Sequence, residues 1–179
     1  MSSTNIVVTA VAWFLACGAC VELSGHERQN GRHAARILLQ GRARAVVESA
    51  VDGALRRLTT TPCQRLLQDF RDASTQMLEA RLKVLDQTVA EYVANVYFVD
   101  GDNTTQCRLN DATIAFTEPG SRVIHICARR FAEELARRPD HGEILIIHEL
   151  LHSLGLGENP PTATHITTQV RFRCNPQSQ

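Results

Sequence analysis

His148-Glu149-Leu150-Leu151-His152 places two imidazoles four positions apart, with a carboxylate beside the first. On an α-helix that spacing brings both rings to one face, where they can share a single divalent ion such as zinc. Glu149 sits next to a ligand but off the metal-facing row, which frees its carboxylate to take a proton from a water. The surroundings are apolar: Ile144-Leu145-Ile146-Ile147 precede the first histidine, and Leu150 and Leu151 separate the pair. A stretch apolar all round is expected to be a buried helix. Polar groups buried there without partners would cost about 1–3 kcal/mol each. A shared ion would satisfy both rings at once.

Zinc in a catalytic site takes three protein ligands and keeps one position open. Beyond Glu158 the chain contains no Asp or Glu, so a carboxylate on a later helix is excluded as the third ligand. Glu158 and His165 remain for that place.

Residues His148 to Glu158 read H-E-L-L-H-S-L-G-L-G-E. The run resembles the metzincin motif H-E-x-x-H-x-x-G-x-x-H, with Glu replacing the last His. The resemblance implies a zincin metallopeptidase in which His148, His152 and Glu158 hold Zn2+, Gly155 turns the chain back toward the metal, and Glu149 is the general base of peptide-bond hydrolysis. Two departures stand beside it. The third ligand is Glu rather than His, and no methionine follows it, so the methionine turn beneath the metal is missing. The chain thus looks metzincin-like without matching a named subfamily. Hydrolysis also wants a donor for the developing oxyanion; His165, Tyr92 and Tyr97 are the candidates. Arg122–Cys127 is expected to form an edge strand on which an extended peptide substrate could lie.

These groups need a scaffold. Asp140 is expected to cap the histidine-bearing helix, with Glu143 closing a capping box, and Gly155, Gly157 and Pro160-Pro161 to end it. A last helix should run from about Thr162 to Cys174. Upstream, Leu39, Ala43, Val47, Val51, Leu55 and Leu58 recur at helical spacing between Glu27 and Leu58, although Gly31, Gly41 and Gly53 make one unbroken helix doubtful. Thr61-Pro62 starts another helix. Leu66, Phe70, Ala73 and Met77 form one stripe, and Leu78, Leu82, Leu85, Val89 and Tyr92 a second, with a break between them; all read as packing, Met77 as core filler. The period changes near Val93. Val96–Val99 reads as a strand, and Ala112–Thr117 and Arg122–Cys127 as two more joined by a Glu118-Pro119-Gly120-Ser121 turn. A short helix is expected over Arg129–Arg137. His125 on its strand reads as structural or as a support behind the site rather than as catalytic. Asp100-Gly101-Asp102 lacks the rest of a calcium loop and is rejected as one.

The expected class is α+β: a helical half at about 26–92, then a small, mainly antiparallel sheet and the buried active-site helix at about 93–179, closed by a disulfide-tethered tail. The whole of 26–179 reads as one zincin-like domain, a size for which a single core suffices. With 19 basic and 19 acidic residues among 179, the net charge is zero, which gives no electrostatic reason to bind nucleic acid. Residues Ile6 to Cys20 are almost wholly apolar yet shorter than the roughly 20 residues of a membrane span. With the small residues Ala16, Gly18 and Ala19 near a possible cleavage point, 1–25 reads as a secretory signal, leaving no stable span in the mature chain. Its removal leaves Cys63, Cys107, Cys127 and Cys174, an even number that favours two disulfides in an exported chain. Cys107–Cys127 would flank the hairpin and Cys63–Cys174 would tie the tail to the helical half.

The functional expectation is a secreted or periplasmic, monomeric zinc metallopeptidase acting on a peptide or protein substrate. The alternative is a secreted, disulfide-stapled binding protein whose zinc site is structural or inactive. In a third reading the helical half is inhibitory, with Cys63 near the metal.

Overall fold

Ile37, Phe98, Ile124 and Ile126 are buried, while their neighbours along three short strands are exposed or half-buried. That alternation is the signature of a sheet covered on one face only. The computed structural model describes residues 35–175, which all belong to one compact unit; the expected signal at 1–25 lies outside them.

The strands are β1 (Arg36–Leu38), β2 (Tyr97–Asp100), β3 (Ala115–Phe116) and β4 (Val123–Ile126). They form one four-stranded sheet in the order β1-β2-β4-β3. The helices are α1 (Gly41–Leu58), α2 (Thr61–Gln64), α3 (Leu66–Asp69), α4 (Leu78–Val84), α5 (Val89–Ala94), α6 (Thr105–Leu109), α7 (Ala128–Arg137), α8 (Pro139–Ser153) and α9 (Ala163–Cys174). The α+β class holds, with one correction. The sheet is mixed: β1 pairs parallel to β2 and β2 parallel to β4, and only β3 runs antiparallel to β4. Parallel neighbours need a long crossover, and helices α1 to α5 supply the one between β1 and β2.

The stripe expected to be helical from Glu27 begins as a strand. Leu39 lies four positions before Ala43, as a helical stripe would have it, yet Ile37 just before it pairs opposite Phe98 in β1 and the helix starts only at Gly41. Gly53 does not break α1. It lets α8 approach: a Cβ there would lie 2.2 Å from Glu143 Oε1, and the Glu143 carboxylate pairs with Arg57 one turn along. Glu143 is therefore committed to α1 and closes no capping box; α8 begins at Pro139 with no side-chain cap. A genuine capping box starts α5, where Thr88 and Glu91 cap each other and separate the second stripe into α4 and α5. Met77 is 40% exposed just before α4, so it fills no core.

Both expected disulfides are present. Cys107–Cys127 links α6 to the end of β4, and Cys63–Cys174 links α2 to the end of α9. Such bonds fit an oxidising compartment. Cys63 is buried and bonded to Cys174, so it offers no free thiol to a metal. Among the described residues no helix is long and apolar enough to cross a membrane.

Candidate metal centre

Helix α8 lies in the core with Ile146, Ile147 and Leu151 essentially inaccessible. One face of the helix carries Leu145, His148, Glu149 and His152, at the i, i+3, i+4, i+7 spacing of a single stripe. This face floors a cleft of about 270 Å³ whose walls include Ile114 and Ala115 on one side and Ala163 and Thr167 on the other. Several hollows are larger; two of them, of about 470 and 400 Å³, lie on the helical side, and Glu143, which both share, is already paired with Arg57.

Glu158 reaches the cleft because α8 stops abruptly. Gly155 adopts φ +112, a conformation that favours glycine. Its amide donates to the His152 carbonyl at 2.8 Å, and the Leu156 amide donates to the Leu151 carbonyl at 3.0 Å. The reversal brings Glu158 Oε1 to 3.8 Å from His148 Nε2 and 3.7 Å from His152 Nε2, while the two Nε2 atoms are 3.0 Å apart. Ligand atoms of all three residues lie within 4.8 Å of one another. A tetrahedral zinc with bonds of about 2.0–2.2 Å would want such edges at about 3.3–3.5 Å. The observed triangle straddles that value, so the residues fit a small divalent ion.

The supporting contacts agree. His152 Nδ1 lies 2.7 Å from the Leu156 carbonyl oxygen and His148 Nδ1 lies 2.9 Å from Thr167 Oγ1, so both rings turn Nε2 toward Glu158. Ligating histidines are commonly oriented by such contacts. Burial pushes the His148 imidazole down to about 4, with the charge on His152 adding to the shift, so the ring is neutral at pH 7 as a ligand must be.

Glu149 belongs to the cleft but not to the triangle. Burial pushes its carboxyl up to about 8, Thr117 beside it opposing the rise and the negative Glu158 reinforcing it. Glu149 Oε2 and the Thr117 hydroxyl are nevertheless both buried without a hydrogen bond of normal geometry. An orphaned carboxylate oxygen beside a ligand triangle is suited to hold a water or a proton.

Other expected site residues lie elsewhere. His165 is exposed on α9 with its ring against Phe70, and it is in neither the triangle nor the cleft wall. Tyr92 is buried, donating its hydroxyl hydrogen to the Ser153 carbonyl at 2.8 Å beneath an Arg122 guanidinium. The Tyr97 hydroxyl meets Arg36 on the outer surface. None of the three reaches the cleft as an oxyanion donor. His125 stacks on Phe116 in the sheet, as a structural residue would. Of Arg122–Cys127, Val123–Ile126 forms β4, an inner strand, so it cannot accept a further strand; the edge beside the cleft is β3. Thr167, Thr117 and the Leu156 carbonyl carried no signal in the sequence, because their roles depend on where α9, the hairpin and the loop after Gly155 fold back.

Comparison with protein-family models, with curated proteins and with solved structures found no match for this chain.

Proposed function

We propose that the chain is an exported, zinc-dependent metallopeptidase. The observation that carries this reading is the His148–His152–Glu158 triangle in one cleft with the orphaned carboxyl of Glu149. Bound there, zinc would polarise a scissile carbonyl and make a water acidic near neutral pH. The three ligands would hold and orient that ion. Glu149 would take the proton of the attacking water and deliver it to the leaving amine. Its raised proton affinity suits the second half of that task.

Strand β3 supplies the means to orient a substrate. The Cys127 amide donates to the Ile114 carbonyl at 3.0 Å, which makes this a hydrogen-bonded pair of the antiparallel ladder. The next pair, Ala115 opposite Ile126, is then a non-bonded one, and the Ala115 N–H and C=O point away from β4. Those groups would pair with the main chain of an extended peptide lying along the cleft.

The test is cleavage of a broad peptide library by the oxidised protein, with and without a zinc chelator. The expected result is cleavage that stops with chelator, returns with zinc, and falls roughly 10²–10⁴-fold in Glu149→Gln. Zinc bound at one per chain with no cleavage of any peptide would refute the peptidase and favour a binding protein with a structural ion.

A further inference from the structure

The Phe116 and His125 rings lie nearly parallel, with 4.7 Å between centroids and 8° between planes. Register explains the pair, because Phe116 sits directly opposite His125 on the neighbouring strands β3 and β4. Neighbouring strands in a sheet are themselves about 4.7–4.9 Å apart. The rings are therefore stacked along the direction in which strands add to the sheet, and β3 is the last strand in that direction. Phe116 is half-buried, and among the described residues His125 is its only ring partner. The two faces of β3 differ: Ala115 shares the helix-covered face with buried Ile126, while Phe116 shares the open face with His125.

A peptide laid along β3 would meet these faces in alternation. The Ala115 N–H and C=O point away from β4, so in an antiparallel peptide the residue opposite Ala115 forms a hydrogen-bonded pair. The adjacent peptide residue, opposite Phe116, then forms a non-hydrogen-bonded pair. In such pairs the Cα atoms are only about 4.5 Å apart and the side chains lie closest. A flat side chain there would cover the outer face of the Phe116 ring and extend the stack by one strand. An aliphatic side chain would bury area but could not stack, and stacked rings gain energy beyond their buried area. We infer that Phe116 is a specificity-determining residue that selects peptides with an aromatic side chain opposite it, bound as a third ring on the His125–Phe116 pair. The inference rests on strand addition at β3, as in the proposed function, and names the class of substrate.

The test is cleavage of a peptide library, randomised one position at a time, by the oxidised, zinc-loaded protein. Aromatic residues should be favoured over leucine at one fixed place relative to the cut bond, roughly 2–10-fold in kcat/KM. Phe116→Leu keeps an apolar side chain and removes the ring. The aromatic-to-leucine ratio should then fall to about one, with zinc content and the preferences at other positions unchanged. Phe116→Tyr should keep the ratio. Because the ratio is read within each variant, a smaller folded fraction does not alter it. Zinc-loaded Glu149→Gln should bind the same peptides while cutting them far more slowly, which gives the preference a second time as a ratio of Kd values. No favoured aromatic position, or one that persists in Phe116→Leu, would overturn the inference and leave the peptidase standing. Binding that shows the preference, with no cleavage by wild type, would overturn the peptidase and leave the inference standing. Neither binding nor cleavage would overturn both.

Discussion

The Gly120 amide donates to the His152 carbonyl at 2.9 Å, which fastens the turn between β3 and β4 to the end of the helix that carries the candidate ligands. The same carbonyl accepts from Gly155, so one backbone oxygen anchors both the hairpin at the cleft rim and the reversal that returns Glu158. The cleft's geometry is therefore set largely by backbone contacts made at one helix terminus.

Gly155→Ala should damage both functions of that terminus. An L-residue at φ +112 is strained, and its Cβ would lie 3.2 Å from Asp72 Cβ. The expected cost is about 1–3 kcal/mol in urea unfolding, with weaker zinc binding as Glu158 is displaced. A variant as stable and as tight-binding as wild type would show that the loop does not depend on this turn.

Glu149→Gln should change how metal-stripped protein responds to pH. The folded Glu149 keeps its proton up to about 8, whereas the unfolded one loses it near 4.5, so this residue lowers stability progressively as pH rises between those values. His148 acts in the opposite direction, lowering stability as pH falls from 6.5 toward 4. The two oppose each other between 4.5 and 6.5, and above 6.5 only the Glu149 contribution still varies. The glutamine variant should match wild type near pH 4 and gain on the order of 3–5 kcal/mol by pH 8. A constant difference across that range would contradict the assignment.

The Glu134 carboxylate on α7 should govern acid stability. Burial raises its proton affinity, but the hydrogen bond to His141 and the charges of Arg138 and His141 outweigh this, leaving the group below its ordinary 4.5. A depressed carboxylate contributes stability above 4.5 that is lost as pH falls through its folded value. Glu134→Gln should cost about 1–3 kcal/mol at pH 7 and much less at pH 3. An equal cost at both pH values would mean the ion pairs contribute nothing.

The disulfides should contribute unequally. Cys63–Cys174 spans 111 positions and Cys107–Cys127 spans 20. On chain entropy alone, replacing the first pair by alanine should cost about 1.5 kcal/mol more than replacing the second. The first loss should also weaken zinc binding, because α9 carries Thr167. Equal unfolding free energies in the two double variants would contradict the entropic account.

Much of this was legible in local sequence. The Ile144–Leu151 run marked a buried helix, the Glu118–Ser121 turn marked a hairpin, and Cys spacing around that hairpin suggested the bonds that form. Features set by distant pairing were not legible. Strand β1 is three residues long, and Leu39 directly after it fits a helical stripe; only the pairing of Ile37 with Phe98 makes the segment a strand. Which strand lies at the edge depends on β2 inserting beside β4, and local alternation carries no trace of that. Tyr92 was legible as an apolar helix position, and its hydroxyl is consumed by Ser153 rather than offered to the cleft.

The most direct test of the central claim is zinc content per chain in oxidised wild type, Glu149→Gln and His148→Ala. The account predicts about one zinc per chain in wild type and Glu149→Gln, and a site lost or greatly weakened in His148→Ala. Absence of zinc from all three, with wild type and His148→Ala equally stable, would contradict the claim that this triangle is a metal centre.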